Sequence, residues 1–436
     1  MNKINKSRIW NLAKKNIAGE NMLLSKHPNQ FLGNDWPSYF SKTKDINVWD
    51  LSGKKYKDFS IMGIGTNSLG YSNPKIDNKI INAIKKGNMS TFNCAEEVLL
   101  SEKLLQMNKW ANKVRFTRSG GEANAVAIRL ARAATGKSKI ALCGYHGWHD
   151  WYLSANHNSK KSLDNLLLPD LKIKGVPREL KNTVYPFKFN DIPALKKILA
   201  ENNLAAIKIE VQRNTFPESK FLKFLRDTCS KKNIVLIFDE CTSGFRETYG
   251  GVFSKFNINP DMTIFGKALG NGYAINAIVG IDSVMDSINQ SFISSTFWTE
   301  RIGSSAGLAT LKVMDNEKSW EKITKTGEYV NSEWIKLSKE FDLPITISGL
   351  AALTTFSFKS EKALAYKTFI TQEMLKKGYL AATAVYVCTA HTKEIIDGYI
   401  ENIRSIFQTI KECEDGKDIM ELLEGPIAHN GFKRLN

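Results

Sequence analysis

The sequence holds no apolar run of the roughly 20 residues that a membrane-spanning helix needs, so no transmembrane segment is expected. Its basic start, MNKINKSRIWNLAKKNIAGE, lacks the apolar stretch and small-residue cleavage site of a secretory signal, which points to a cytoplasmic protein. The six cysteines, Cys94, Cys143, Cys229, Cys241, Cys388 and Cys413, include no C-x-x-C pair, and the six histidines give no H-E-x-x-H. Neither a disulfide framework nor a zinc centre follows; the thiols read as free, in a reducing compartment. Acidic residues are in short supply: 44 Asp and Glu face 61 Lys and Arg, a formal net charge of +17. The lysines are dispersed, and no basic block with interleaved aromatics stands out, so neither a nucleic-acid nor a membrane partner is expected. What the charge does supply is a field that draws in small anions.

What is present is a long, regularly alternating chain. With 436 residues it exceeds a single core of ordinary size, and two domains are the default. Residues 75–312 alternate strands with helices, the pattern of a parallel sheet with crossover helices and hence of an α/β fold. The strands read as KVRF (Lys113 to Phe116), KIALC (Lys139 to Cys143), AAIKIEV (Ala205 to Val211), IVLIF (Ile234 to Phe238) and MTIF (Met262 to Phe265). Each is followed by a conspicuous polar group: Ser119, Tyr145-His146, Arg213, Asp239 and Lys267. Ligands of such sheets bind outside the carboxyl ends of the strands, so these groups form one candidate constellation. Residues 1–74 hold a helical stretch over 4–18 and a hairpin, VWDLSGKKYKDF, turning at Ser52-Gly53. Residues 313–436 read as helix, strand, helix: Glu361 to Lys377 ended by Gly378, then YLAATAVYVC as one strand, then a helix capped by Thr392.

Within the constellation, Gly266-Lys267 ends a strand and precedes a turn containing Gly270 and Gly272. A lysine pinned there and desolvated becomes a nucleophile toward carbonyl carbon. Asp239 supplies a carboxylate at a neighbouring strand end. Ser119-Gly120-Gly121 joins a strand to the helix 121–134, whose bare first-turn N–H groups suit an anion. Lysine, aspartate and a phosphate cradle are together what pyridoxal phosphate requires. The turn lacks the G-x-G-x-x-G spacing of a dinucleotide-binding dehydrogenase, and the intact Lys267–Asp239 pair argues against a silent binding protein.

These segments resemble the class III (subgroup II) aminotransferases, most nearly the branch of glutamate-1-semialdehyde 2,1-aminomutase, over roughly residues 30 to 410. The resemblance implies a fold-type I enzyme with a large cofactor domain, a small C-terminal domain and a homodimer that shares its active sites. It implies pyridoxal 5′-phosphate held as a Schiff base by Lys267, with its phosphate on Ser119, Gly120 and Gly121. Gly121 replaces the family's hydroxyl-bearing third residue, so a hydroxyl is lost while the N–H survives. Tyr145, from the aromatic-His-Gly motif, would stack on the ring, with His146 behind it. Asp239, followed by CTSGFR in place of the family's D-E-V-x-T-G-F-R, would keep the ring nitrogen protonated. Lys267, once freed, would move a proton between substrate and cofactor carbons. Thr296 in SSTFWTERIG matches the threonine that reaches the partner subunit's phosphate.

The departures concern the substrate. The aminomutase grips its substrate carboxylate with an N-terminal arginine, and the corresponding PNQFLGNDWPSYF has none. The family's Glu-Pro-Val is Glu210-Val211-Gln212-Arg213 here, and Arg301 stands where Gly-Asn-Pro is usual. Each arginine taken singly also fits an ordinary ion pair; together they suggest substrate-binding cations and a changed acceptor. Relatives with similar stretches resemble enzymes of surface-polysaccharide pathways, which suggests an oxidised sugar. The alternative is formation of 5-aminolevulinate from glutamate 1-semialdehyde.

Overall fold

The computed structural model describes residues 6–159, 162–164 and 171–429. They gather into two compact units: Pro74–Glu321, and the chain up to Asn73 together with the chain from Lys322 onward. The expected boundary at residue 312 falls inside the helix Arg301–Glu317, whose buried residues continue through Met314. A helix interior offers no place for a linker, so the division comes later.

The first unit is built on a seven-stranded sheet. Its strands are β1 (Lys113–Thr117), β2 (Lys139–Cys143), β3 (Val184–Pro186), β4 (Leu204–Glu210), β5 (Val235–Glu240), β6 (Met262–Phe265) and β7 (Asn276–Gly280), in the order β1-β7-β6-β5-β4-β2-β3. Strands β2 to β6 pair in parallel, while β7 runs antiparallel to both β6 and β1. The sheet is therefore α/β and mostly parallel, with its strands sandwiched between helices. Every residue of β4, β5, β6 and β7 is buried, which is why those strands read as continuous apolar runs rather than alternating ones. Burying each such Val, Leu or Ile contributes roughly 1.5–3 kcal/mol. The two strands beyond the expected five are the three-residue β3, too short to carry a pattern, and β7, which returns after the Lys267 turn.

Helix α1 (Gly120–Thr135) covers this sheet with Ala123, Val126, Ala127, Leu130 and Ala131, and Gly136 ends it in the left-handed conformation. Its start is a capping box: Ser119 Oγ accepts the Glu122 N–H at 3.3 Å, and Glu122 Oε2 accepts the Ser119 N–H at 2.9 Å.

In the second unit, the expected hairpin is present as Asn47–Asp50 paired antiparallel with Lys55–Phe59, and Tyr379–Ala381 adds to it in parallel. A three-stranded sheet holds Ile345–Ser348, Leu353–Phe358 and Ala384–Tyr386. YLAATAVYVC is thus two strands in two sheets, not one; the chain leaves the first sheet after Ala381 and enters the other at Ala384. The helix Lys393–Glu414 starts after Thr392 as expected, but the Thr392 side chain makes no capping bond to the backbone. Trp334, Phe356, Tyr399 and Phe407 form the centre of this core. The N-terminal helix is Lys6–Asn16; Ile4 lies outside the described residues.

Candidate active site

Lys267 sits in the turn between β6 and β7, an antiparallel pair in register at Ile264 and Ile278. Its φ of +41° lies in the left-handed region, which a non-glycine residue adopts only under constraint from its surroundings. The constraint begins at Gly266: a Cβ there would lie 2.0 Å from Asn276 Oδ1 and 2.6 Å from Cys241 Sγ. Only glycine lets the chain pass so close to β7 before it turns. The Lys267 amine donates to Thr242 Oγ1 at 2.7 Å. Burial, and then the nearby Arg213 guanidinium, bring its pKa down to about 8. Roughly a tenth of the amine is then neutral at pH 7, far more than for an ordinary lysine, and the neutral amine is what a carbonyl-directed nucleophile requires.

Asp239 is the next-to-last residue of β5 and only 3% exposed. His146 Nδ1 donates to its Oδ2 at 2.8 Å, the Cys241 N–H donates to its Oδ1 at 3.1 Å, and Lys208 Nζ lies 3.5 Å from Oδ2. Burial alone would raise the carboxyl pKa; Lys208 and His146 overcome it and hold Asp239 well below the usual carboxylate range. His146 is wholly buried, and its Nε2 lies 3.1 Å from the Cys143 carbonyl. Both partners can only accept, and the charged carboxylate is the stronger and nearer acceptor, so it draws the proton of the neutral imidazole to Nδ1. Cys241, between Asp239 and Lys267 in the electrostatics of the site, is pushed up to about 12 by burial and by Asp239, and stays a thiol.

Tyr145 is half-buried at the end of β2, edge-on to Tyr152 with ring centroids 6.0 Å apart. Its backbone N–H donates to Glu210 Oε2 at 3.0 Å. The Ser119 loop meets this segment directly: a Cβ on Gly147 would come within 3.0 Å of the Gly121 Cα, and one on Gly120 within 3.1 Å of Cys241 Sγ. A Cβ on Gly121 would lie 2.8 Å from His149 Cε1, so the hydroxyl-bearing residue of the family pattern would have to displace the His149 ring. In the first turn of α1 the N–H groups of Gly120 and Gly121 have no carbonyl behind them within the helix.

The structure thus brings together Ser119, Gly120, Gly121, Tyr145, His146, Asp239 and Lys267. Arg213 joins them: its side chain is 11% exposed, Nη1 lies 3.7 Å from Glu210 Oε1, and that nitrogen makes no hydrogen bond. Arg301 is differently engaged. It opens the helix Arg301–Glu317, pairs with Glu96 at 3.2 Å, and its Nη1 donates to the Gly87 carbonyl at 3.1 Å. Its guanidinium ties a helix start to the Lys86–Gly87 turn. Thr296 is exposed at the head of the short turn Thr296–Thr299. Sequence reasoning missed Thr242 and Lys208. The first lay within CTSGFR without a role; the second was the one cation inside an apolar run, two residues before Glu210 and so on the same strand face.

The comparisons with known proteins identify the family and the fold. The family model for class-III aminotransferases matches residues 33–407. The 3-aminobutyryl-CoA aminotransferase of Cloacimonas acidaminovorans is 30% identical over 89% of this chain and 93% of its own. The glutamate-1-semialdehyde 2,1-aminomutase of Methanosphaera stadtmanae is 30% identical over 83% of this chain and 89% of its own. Among solved structures, the FumI protein of Sphingopyxis sp. MTA144 superposes with a TM-score of 0.85 at 21% identity, covering 96% of this chain and 99% of that one. An omega-transaminase from Sphaerobacter thermophilus gives 0.83 at 23% identity, covering 92% and 97%; both share the fold-type I architecture.

The residues present fit the cofactor of this family, pyridoxal 5′-phosphate. A buried amine with a lowered pKa, a buried carboxylate held ionised, and helix N–H groups facing a glycine cradle answer its aldehyde, its ring nitrogen and its phosphate. When bound, the group supplies an electron sink for a deprotonated amino carbon. Lys267 would be placed to serve that carbon as base and acid, and Asp239, held by His146 at 2.8 Å, would keep the ring nitrogen protonated. The chain is a pyridoxal-phosphate-dependent enzyme and belongs to the class-III aminotransferases.

Proposed function

We propose that this enzyme transfers an amino group to the carbonyl carbon of an acceptor that carries an anionic group, and that Arg213 receives that group. The observation that carries the reading is the Arg213 guanidinium: it lowers the Lys267 pKa, is nearly buried, and has a nitrogen without a hydrogen bond. A guanidinium so held is suited to grip a carboxylate or phosphate through paired charge-assisted bonds. Keto-sugar acids and nucleotide-activated sugars fit this description, as do smaller keto acids and acyl thioesters of the kind named for the Cloacimonas relative. Arg301, committed to Glu96 and to backbone carbonyls, is not assigned to the substrate.

The second reading is the aminomutase reaction, favoured by relatives of that name at 30% identity. Against it stands the segment from Pro28 to Phe40, where Phe31 stacks on Trp36 at 4.1 Å and no arginine occurs. One assay separates them: glutamate 1-semialdehyde is supplied and 5-aminolevulinate measured. Efficient turnover, unchanged in Arg213→Ala, returns the protein to the aminomutases. For the favoured reading, Arg213→Ala raises KM for the anionic acceptor, with a loss of about 1.5–3 kcal/mol in kcat/KM terms.

We also infer a homodimer, with Thr296 reaching the partner's phosphate site, and a cytoplasmic location. The exposed position of Thr296 and the family pattern support the first. Free cysteines, and the absence among the described residues of any helix long and apolar enough to cross a membrane, support the second.

A further inference from the structure

Lys208 lies in the middle of β4, a strand buried throughout. Its side chain is wholly buried, and its Nζ makes no hydrogen bond. A lysine in a core commonly extends its amine to water; this one cannot. The partner it has is Asp239, 3.5 Å away across the β4–β5 pair, where Lys208 stands opposite Ile237 and Glu210 opposite Asp239. Burial pulls the ammonium toward its neutral form and Asp239 pulls it back. The charge of an ammonium so buried therefore rests on that carboxylate.

The carboxylate of Asp239 is thereby shared. Its Oδ2 takes both His146 Nδ1 and the Lys208 charge, while Oδ1 takes the Cys241 N–H. Among the other charges nearby, Glu210 and Arg213 pair with each other, Glu240 accepts from Ser243 and the Phe253 N–H, and Lys267 donates to Thr242. We propose that Lys208 is a positioning residue that acts through Asp239 on the cofactor's ring nitrogen, offsetting part of the carboxylate's charge and so weakening the electron sink. With Lys208 charged, a proton on the ring nitrogen is an extra positive charge in a buried site; without Lys208 it forms a neutral pair with Asp239. The lysine therefore lowers the proton affinity of the ring. A weaker sink delocalises less of the charge from the substrate carbon and favours prompt return of the proton by Lys267 over competing paths.

The inference rests on Asp239 facing the ring nitrogen, and the test separates the two claims. Full-length apoproteins carrying Lys208→Met or Asp239→Asn, and the unsubstituted one, are titrated with pyridoxal phosphate and with its 1-deaza analogue, which has carbon in place of the ring nitrogen. Lys208→Met tightens pyridoxal phosphate relative to the deaza analogue by about tenfold for each unit of ring pKa regained; Asp239→Asn shifts the ratio the other way. If Asp239→Asn shifts the ratio and Lys208→Met leaves it unchanged or weakens pyridoxal phosphate preferentially, the role of Lys208 is overturned. If neither shifts it, the role of Asp239 fails, and that of Lys208 with it. Lys208→Gln, uncharged but polar, repeats the measurement if the methionine protein does not fold.

Discussion

At the scale of single residues, chemistry is set by burial acting against a few charges. Lys267 titrates at about 8, so capture of pyridoxal phosphate by the apoprotein accelerates as pH rises through 8 and levels off above it; stopped-flow absorbance reads the profile. Borohydride reduction followed by peptide mapping finds the pyridoxyl group on Lys267, and Lys267→Ala holds the cofactor loosely and does not turn over. Asp239→Asn folds but slows the amino-donor half-reaction by at least about tenfold, one unit of ring pKa being worth ~1.4 kcal/mol; a near-normal single-turnover rate would refute its role. Most of these residues were legible because each follows an apolar strand at a recurring place. Arg301 was not, because its partners, Glu96 and the Gly87 carbonyl, are distant in sequence and nothing local announces them. Lys208 was passed over because nothing within AAIKIEV announces the Asp239 that it meets on the neighbouring strand.

Elements are positioned by close approaches that tolerate no side chain. Gly266→Ala forces a methyl against Asn276 and Cys241, displacing the Lys267 turn. The expected cost is about 1–3 kcal/mol in urea-unfolding stability, together with loss of the covalently bound cofactor. Gly327 serves the second unit in the same way, since a Cβ there would lie 1.8 Å from the Ala351 carbonyl oxygen. Gly327→Ala lowers stability by a similar amount, yet the protein that remains folded still captures cofactor. The strands of the large sheet and α1 were readable from apolar runs and glycine stops. The split of YLAATAVYVC between two sheets was not, since strand pairing depends on partners far along the chain, and residues 382–383 carry no turn signal.

For the whole molecule, two expectations follow from its surface. Phe92 and Phe292 are each 87% exposed and Phe297 is 70% exposed, beside Thr296 in the sequence; aromatic surface of this kind is what a partner subunit covers. Light scattering of active enzyme gives the mass of a dimer, and a sample that is active but wholly monomeric ends that reading. With a net charge of +17, association with the anionic cofactor slows as ionic strength rises. Stopped-flow rates in increasing potassium chloride measure the slope, and a flat profile rejects steering.

The capping box at α1 bears on how such a protein lives through vitamin shortage. Ser119 and Glu122 answer each other's backbone N–H groups from within the chain, so the helix start is held before any phosphate arrives, with the N–H groups of Gly120 and Gly121 left for it. This end of the helix is therefore expected to form in the chain made without its vitamin, leaving an anion site ready for the cofactor when supply returns.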